Sequence, residues 1–106
     1  MHDAHYHAEA EIFQALAHPV RLRLLDFLAE KPRCVCEIEP EFSLDQSTIS
    51  RHLIVLKKAG LVQARREGVR VIYKLSDRRI QRIRKLVQGL IADHLRKQAT
   101  ILAQGG

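Results

Sequence analysis

The chain has 106 residues, a length that fits one hydrophobic core without requiring disulfides or a structural metal. Hydrophobic residues make up 46% and charged residues 28%, which excludes a disordered or collagen-like chain. The longest apolar run, Leu53–Leu56, is too short to span a membrane, and the N-terminus lacks the apolar core of a signal peptide. We therefore expect a cytoplasmic protein with one domain, residues 1–106, in which residues 1–8 form a flexible tail.

The net charge of +6 is distributed unevenly along the chain. Residues 1–42 contain four basic and eight acidic side chains, whereas residues 43–106 contain fourteen basic and four acidic ones. A basic protein whose charge only keeps it soluble would not need this segregation. The asymmetry favours a polyanion-binding surface built mainly by residues 43–106.

Helical periodicity predicts two helices at the start of the chain. The first covers about 8–17. The second begins at Pro19, whose missing N–H costs nothing in an opening turn, and ends before Pro32. The core positions predicted on these two helices are Ile12, Phe13, Leu16, Val20, Leu24, Phe27 and Leu28.

A second pair of helices is predicted next, separated by a short turn. The third helix lies around 34–41. The fourth runs over about 46–59, with Asp45 as its N-cap and Gly60 as the residue that ends it. On the fourth helix, the positions expected to face the core are Ile49, Leu53 and Leu56.

The pattern changes to strands after residue 60. Two strand-like runs, 61–66 and 70–75, flank Glu67 and Gly68, a pair typical of a hairpin turn. Helix, turn, helix and a basic hairpin together predict a mainly α fold with a small β-hairpin wing, the winged helix-turn-helix.

A final helix is predicted from the cap Ser76-Asp77 to about Ala103, with an apolar stripe roughly 30 Å long. A domain of this size has a radius of gyration of about 13 Å and cannot easily cover that stripe alone. We expect a homodimer that forms through the last helix with help from the first. The alternative is a monomer whose last helix folds back over its own core. The stripe consists of Ile80, Ile83, Val87, Leu90, Ile91 and Ile101.

The outer face of the fourth helix predicts contact with double-stranded DNA. Short hydrogen-bonding side chains and one arginine suit base edges and phosphates in a major groove, whereas a merely solvated face more often carries Glu and Lys pairs. Hairpin arginines can contact phosphates or a minor groove. Alternatively, they are solvated charges that keep an edge strand from pairing with another chain. The helix residues are Gln46, Ser47, Thr48, Ser50, Arg51, Ile54 and Lys58, and the hairpin cations are Arg65, Arg66, Arg70 and Lys74.

The only two cysteines of the sequence, Cys34 and Cys36, are the candidate ion ligands, and a cytoplasmic protein should hold them as thiols. Thiolates prefer soft ions such as arsenic(III), cadmium, lead or zinc. At i and i+2 of a regular helix the two side chains point about 200° apart, so they converge only if the first turn opens. The alternatives are two small side chains that fill space, or thiols that sense oxidants or persulfides.

Three sequence blocks stand out, and the residues that compose them are FQALAHPVRLRLL at 13–25, CVCEI at 34–38, and QSTISRHL at 46–53 followed by KAGLV at 58–62. Together they resemble the ArsR/SmtB family of metal-responsive winged helix-turn-helix repressors, over about residues 9–75. The resemblance implies a homodimeric repressor that leaves its operator when an inducer binds. It also implies that Gln46, Ser47, Ser50 and His52 face DNA. From its position alone, His52 lies nearer the core side of its helix, which favours a partly buried histidine bonded to backbone over a base contact.

The CVC block makes the arsenic-responsive type the expected one, with arsenic(III) or antimony(III) as inducer. Arsenic-responsive members carry a third cysteine three residues after the second, where this chain has Glu39. Two cysteines with an external thiol or water can still hold the ion. Alternatively, Glu39, His5 or His7 can complete a site for a divalent ion.

Neither a second metal site nor an enzyme is expected. Zinc-responsive members place an Asp/His/His/Glu set on the last helix, where this chain offers Asp77, Arg79, Asp93 and His94. His94 falls within the apolar stripe, and this position favours a residue of the dimer interface over a metal ligand. The sequence lacks a Gly-rich phosphate loop, a carboxylate pair and a nucleophile elbow.

Overall fold

A computed structural model describes residues 2–105. Within that range the fold is mainly helical and has one small antiparallel sheet, so the predicted winged helix-turn-helix is confirmed. None of the helices in this range is both long and apolar enough to cross a membrane. The elements in chain order are α1 (His2–Leu16), α2 (Pro19–Glu30), β1 (Arg33–Cys34), α3 (Val35–Phe42), α4 (Gln46–Lys58), β2 (Val62–Glu67), β3 (Arg70–Leu75) and α5 (Arg79–Gly105).

Helices α2 and α4 begin and end close to the residues that the sequence predicts. Pro19 occupies the first turn of α2, where Nδ1 of His18 accepts the Val20 N–H at 3.1 Å. Asp45 caps α4 by accepting the Thr48 N–H at 2.8 Å. Gly60 follows α4 with a φ of +80°, a left-handed conformation that glycine adopts without steric cost.

The first helix differs from its prediction. It begins at His2 rather than near residue 8, so residues 2–7, which were expected in a flexible tail, are helical. Phe13 was expected in the core, but its side chain is 53% exposed. One side of α1 packs against the domain, through the buried Ala15 and Leu16 and the half-buried Ile12, and Phe13 lies away from that side.

The sheet contains one strand more than the predicted hairpin. Its order is β1-β3-β2, and all pairs are antiparallel. In β1, Arg33 pairs with Tyr73 and Cys34 pairs with Ile72. The wing is therefore joined directly to the segment that carries the first cysteine.

The core lies where α2, α3 and α4 meet beneath the sheet. Periodicity predicted most of it correctly, although Val20 and Phe27 are only half-buried and Leu25, which was not predicted, is completely buried. The largest fully buried side chains are Leu24, Leu25, Ile38, Ile49, Leu53 and Leu56.

The last helix extends away from this core. Asp77 caps it by accepting the Arg79 N–H at 2.8 Å, and at 1.5 Å per residue it is about 40 Å long. Ile80 is its only buried residue, and Ile83 packs partly against the core. The radius of gyration is 17.2 Å, well above the roughly 13 Å of a compact domain of this length, because α5 protrudes.

Candidate nucleic-acid interface and cysteine site

The fourth helix is held by one side and exposed on the other. Ile49, Leu53 and Leu56 are completely buried, whereas Ile54 is 46% exposed. Helix α3 precedes it and ends at Phe42. The C-cap residue Ser43 has a left-handed φ of 52° and turns the chain toward Asp45. Helices α3 and α4 are thus the helix-turn-helix, with α4 as the helix positioned to enter a groove.

The outer side of α4 presents hydrogen-bonding groups to solvent. Gln46, Ser47 and Arg51 are exposed, and Thr48 and Ser50 are half-buried at its margins. The Ser47 hydroxyl donates to Asp45. The side chains of Gln46, Ser50 and Arg51 form no hydrogen bond or ion pair with the residues of 2–105. Their donors and acceptors are available to base edges and phosphates.

The structure places His52 beside α2 rather than on the exposed face. Its ring packs against His18 with centroids 4.4 Å apart, and its Nδ1 lies 3.3 Å from Nη1 of Arg21. The pKa of His52 is lowered, first by burial and then by the charges of His18, Arg21 and Arg51. The ring is therefore mainly neutral at pH 7, and it packs at the contact between α2 and α4.

The three wing arginines differ in their surroundings. Arg65 forms an ion pair with Glu67 at 2.7 Å, and Arg70 lies 3.8 Å from Glu37. Arg66 is exposed and forms no ion pair with the residues of 2–105. In the absence of DNA, Arg66 is thus the wing arginine whose guanidinium has no carboxylate partner among residues 2–105.

The two cysteines come together at the junction of strand and helix. The structure joins the sulfur atoms of Cys34 and Cys36 in a disulfide, so the prediction that both are thiols is wrong for this structure. The two cysteines were expected on the same helix, around 34–41, but α3 begins at Val35, so their convergence does not require its first turn to open. Cys34 is the last residue of β1 and the extended N-cap of the helix, with φ −69° and ψ 147°.

The surroundings of the two sulfur atoms differ. Cys34 is 3% exposed, and its Sγ accepts the Cys36 N–H at 3.1 Å. Cys36 is exposed on the first turn of α3, with Nη2 of Arg70 lying 4.0 Å from its Sγ. A reagent from solvent therefore meets Cys36 first.

Glu37 completes this turn. Its Oε1 accepts the backbone N–H of Cys34 at 3.0 Å and closes a reciprocal capping box. That hydrogen bond lowers the pKa of the Glu37 carboxyl, and the charges of Lys31, Arg33 and Arg70 lower it further. The role of Glu37 was missed from sequence, although a Glu three residues after a cap is the usual signal of a capping box.

The structure brings no third ion ligand to the cysteines. Within residues 2–105, no cluster of three or more His, Cys, Asp or Glu side chains forms. His5 and His7 are exposed on α1, and Glu39 is half-buried on α3. Once the disulfide is reduced, the donors at this turn are two thiols, the type of ligand that soft ions prefer.

Three of the four candidates for a second site, at the start of α5 and along it, form ion pairs. Arg79 holds Asp77 through several side-chain hydrogen bonds, which lower the pKa of that carboxyl to about 2. Asp93 contacts Arg96, and His94 is exposed.

Comparison with known proteins places this arrangement in a family. The family model described as "Bacterial regulatory protein, arsR family" matches residues 18–64, from the end of the α1–α2 turn into β2. A helix-turn-helix transcriptional regulator of Methanocaldococcus jannaschii is 49% identical over 86 residues, which are 80% of this chain and 97% of the relative. A transcriptional repressor SmtB homolog of Synechocystis is 39% identical over 88 residues, which are 83% of this chain and 64% of that protein.

A solved structure shows the same fold. It is the solution NMR structure of a homodimeric winged helix-turn-helix DNA-binding domain from Mycobacterium bovis, described as a possible ArsR-family regulator. It superposes with a TM-score of 0.77 and 38% identity, and the match covers 88% of this chain and 86% of that one. These relatives are transcriptional regulators and not enzymes. This chain belongs to the ArsR family of helix-turn-helix transcriptional regulators.

Proposed function

We propose that this chain is a cytoplasmic, homodimeric transcriptional repressor that leaves its operator when a thiophilic ion binds Cys34 and Cys36. Arsenite or antimonite is the first choice of inducer. The observation that carries this proposal is the convergence of the two sulfur atoms where β1 meets α3. Because β1 is part of the wing sheet and α3 packs against α4, an ion at this point acts on both candidate DNA-contacting elements.

The proposed DNA contacts are the exposed side of α4 and the wing. Gln46 and Ser47 lie at the open end of α4, and Arg51 extends from its exposed face. Wing arginines can reach the phosphates beside the groove that α4 enters. The full set proposed to face DNA is Gln46, Ser47, Thr48, Ser50, Arg51, Arg65, Arg66 and Arg70, with His52 as a residue that positions α4.

The proposed dimer forms through α5. Leu86, Leu90 and Ile91 are 72%, 69% and 54% exposed in the single chain, and Phe13 of α1 adds another exposed apolar side chain. An apolar stripe of this length on a protruding helix is costly in water. Homodimerisation of the Mycobacterium bovis relative supports a second copy of this chain as the group that covers it.

The chemistry of the two cysteines favours arsenic(III) as the inducer. A small external dithiol reduces the disulfide to two thiols and is itself oxidised to a disulfide. Arsenous acid, As(OH)3, then exchanges two of its hydroxides for the two thiolates, so that two As–S bonds form and two water molecules leave. The third ligand of the trigonal ion then comes from a small external thiol or water, since Glu39 stands where a third cysteine would be expected. Zinc and cadmium prefer four protein ligands, which the described residues do not bring together, and this favours arsenite over them.

A second candidate function is thiol-based redox sensing, and the disulfide itself favours it. Peroxide can oxidise the exposed Cys36 to a sulfenic acid, which then condenses with the Cys34 thiol and releases water. The disulfide would form where the wing sheet meets the helix-turn-helix, so it would act on the same two candidate DNA-contacting elements. In this case the inducer is an oxidant or a persulfide and no ion is needed.

Fluorescence anisotropy with DNA from upstream of the protein's own gene distinguishes these functions. Reduced protein is bound to the DNA and titrated separately with arsenite, cadmium, zinc and peroxide. The variant Cys34→Ser/Cys36→Ser is the matched control, because serine retains an acceptor at the helix cap but binds soft ions poorly.

Release by arsenite in the wild type, lost in the double variant, is the expected result. Release by peroxide alone would replace the ion sensor with the redox sensor. Tight binding that ignores all four reagents would leave the family assignment intact and remove the cysteine pair as the switch.

A further inference from the structure

One wing arginine belongs to the cysteine site as well as to the candidate DNA surface. Arg70 is the first residue of β3, directly after the hairpin turn, and its side chain is 54% exposed. Its Nη2 lies 4.0 Å from Sγ of Cys36 and 3.8 Å from Oε1 of Glu37. The same Oε1 accepts the backbone N–H of Cys34. The wing arginine, the carboxylate and both cysteines therefore form one connected cluster.

We infer that Arg70 is shared between the operator and the cysteine turn, so that closing the pair Cys34–Cys36 holds this arginine away from a DNA phosphate. The inference rests on the proposed function, since it describes how the cysteine site changes DNA affinity. In this inference Arg70 has two alternative partners, a DNA phosphate and the Glu37 carboxylate, and Glu37 competes with DNA for the Arg70 guanidinium.

The competition follows from charge. A phosphate and the Glu37 carboxylate are both anions that accept hydrogen bonds from a guanidinium, and Arg70 has one guanidinium to offer. When the sulfur atoms are joined directly or through an ion, the first turn of α3 is fixed, and Glu37 and Cys36 stay where Arg70 reaches them. By linkage, a phosphate that draws Arg70 away must oppose closure of the pair to the same extent.

The neighbouring strand offers a matched control. Arg66 lies on β2 opposite Val71, beside the same turn, and is exposed. It pairs with no carboxylate in the part of the chain that the structure describes. Substituting Arg66 removes the same charge from the wing and leaves the cysteine cluster intact.

The salt dependence of DNA binding reports how many phosphates the protein contacts. Each neutralised phosphate contributes about 0.9 to the slope of log Kd against log salt concentration. The slope is measured for the full-length protein in its reduced form, in its disulfide form and with arsenite bound. The variants are Arg70→Gln, Arg66→Gln and Glu37→Gln, the last of which keeps an acceptor for the Cys34 N–H but loses the charge that holds Arg70.

In the wild type, closing the pair by oxidation or with arsenite is expected to lower the slope by about 0.9, the share of one phosphate. In Arg70→Gln and Glu37→Gln this difference in slope between the reduced and the closed protein disappears. The ratio of the Kd of the closed protein to the Kd of the reduced protein also shrinks by about two- to fivefold, the size expected for one half-exposed ion pair. In Arg66→Gln both slopes fall while the difference between states remains.

Two results would overturn the inference in distinguishable ways. If closing the pair weakens DNA binding equally in the wild type and in Arg70→Gln, the proposed switch stands and Arg70 has no part in it. If the wild type binds DNA equally well in all three states, the proposed switch fails and this inference fails with it.

Discussion

Arg21 and His52 are in contact across the junction of α2 and α4, with 3.3 Å between Nη1 and Nδ1. The same guanidinium donates from Nε to the carbonyl oxygen of Ala15 at 2.7 Å and from Nη2 to that of Gln14 at 3.0 Å. One side chain thus connects the end of α1, the start of α2 and the middle of α4. Because α4 carries the candidate DNA-contacting residues, Arg21 positions that surface.

Replacing Arg21 with alanine is expected to destabilise the domain. It removes two hydrogen bonds from a charged donor and leaves the carbonyl oxygens of Gln14 and Ala15 without that partner, a loss of about 1–3 kcal/mol in the free energy of unfolding. Arg21→Lys should recover only part of it, since an ammonium lacks the planar fork. Urea unfolding followed by circular dichroism measures both, and an alanine variant as stable as the wild type would contradict this role.

The neighbouring His52 predicts a pH dependence of stability. Its pKa is lowered in the folded chain, so the unfolded chain, in which a histidine titrates near 6.5, binds the proton more readily. The free energy of unfolding should therefore fall as the pH drops below about 6.5, until the folded-state pKa is passed. Urea midpoints at about pH 7.5 and 5.5 test this above the range in which carboxyl groups titrate. His52→Gln should flatten the difference, and parallel profiles for the two proteins would exclude His52 as its source.

Local signals predict much of the fold. Pro19 and Asp45 start helices, Gly60 ends one, and period-3.6 spacing places Ile49 and Leu53 in the core, because each of these effects acts within a few residues. These signals fixed the helix-turn-helix without any tertiary information.

The parts that escaped prediction depend on contacts distant in sequence. A two-residue strand has no periodicity, and β1 exists only because Cys34 pairs with Ile72 of the wing. That pairing ends the strand at Cys34, starts the helix at Val35 and brings the sulfur atoms together. The contact of Arg70 with Glu37 and Cys36 depends on the same pairing, so the sequence predicted DNA contact for Arg70 but not its second partner.

Replacing Arg51, the exposed arginine of α4, tests whether the exposed side of this helix contacts DNA. Arg51→Ala should weaken operator binding by about 1–3 kcal/mol, the contribution of a good contact to a base edge, without changing dimerisation. Arg78→Ala is the matched loss of one exposed arginine, directly before α5 and outside the proposed DNA-contacting set. Anisotropy titrations at one salt concentration compare the three proteins, and equal affinities for Arg51→Ala and the wild type would remove Arg51 from the DNA surface.

The apolar stripe on α5 tests the proposed dimer. Leu90 is 69% exposed in the single chain, so Leu90→Glu should leave the fold of the protomer intact, as judged by circular dichroism. In a two-fold symmetric dimer each copy loses one buried leucine, worth about 1.5–3 kcal/mol, so the dimer dissociation constant should rise by about a hundredfold or more. Gln88→Glu adds the same charge at an exposed polar position of α5 and serves as the control.

Sedimentation equilibrium measures the dissociation constants, and anisotropy measures the affinity of the same samples for DNA. Operator affinity should fall together with dimerisation, because two half-sites bound by separate monomers lose the advantage of a linked pair. A Leu90→Glu protein whose dimer dissociation constant equals those of the wild type and Gln88→Glu would place the contact between copies on another surface, and α5 would then need a different partner for its apolar stripe.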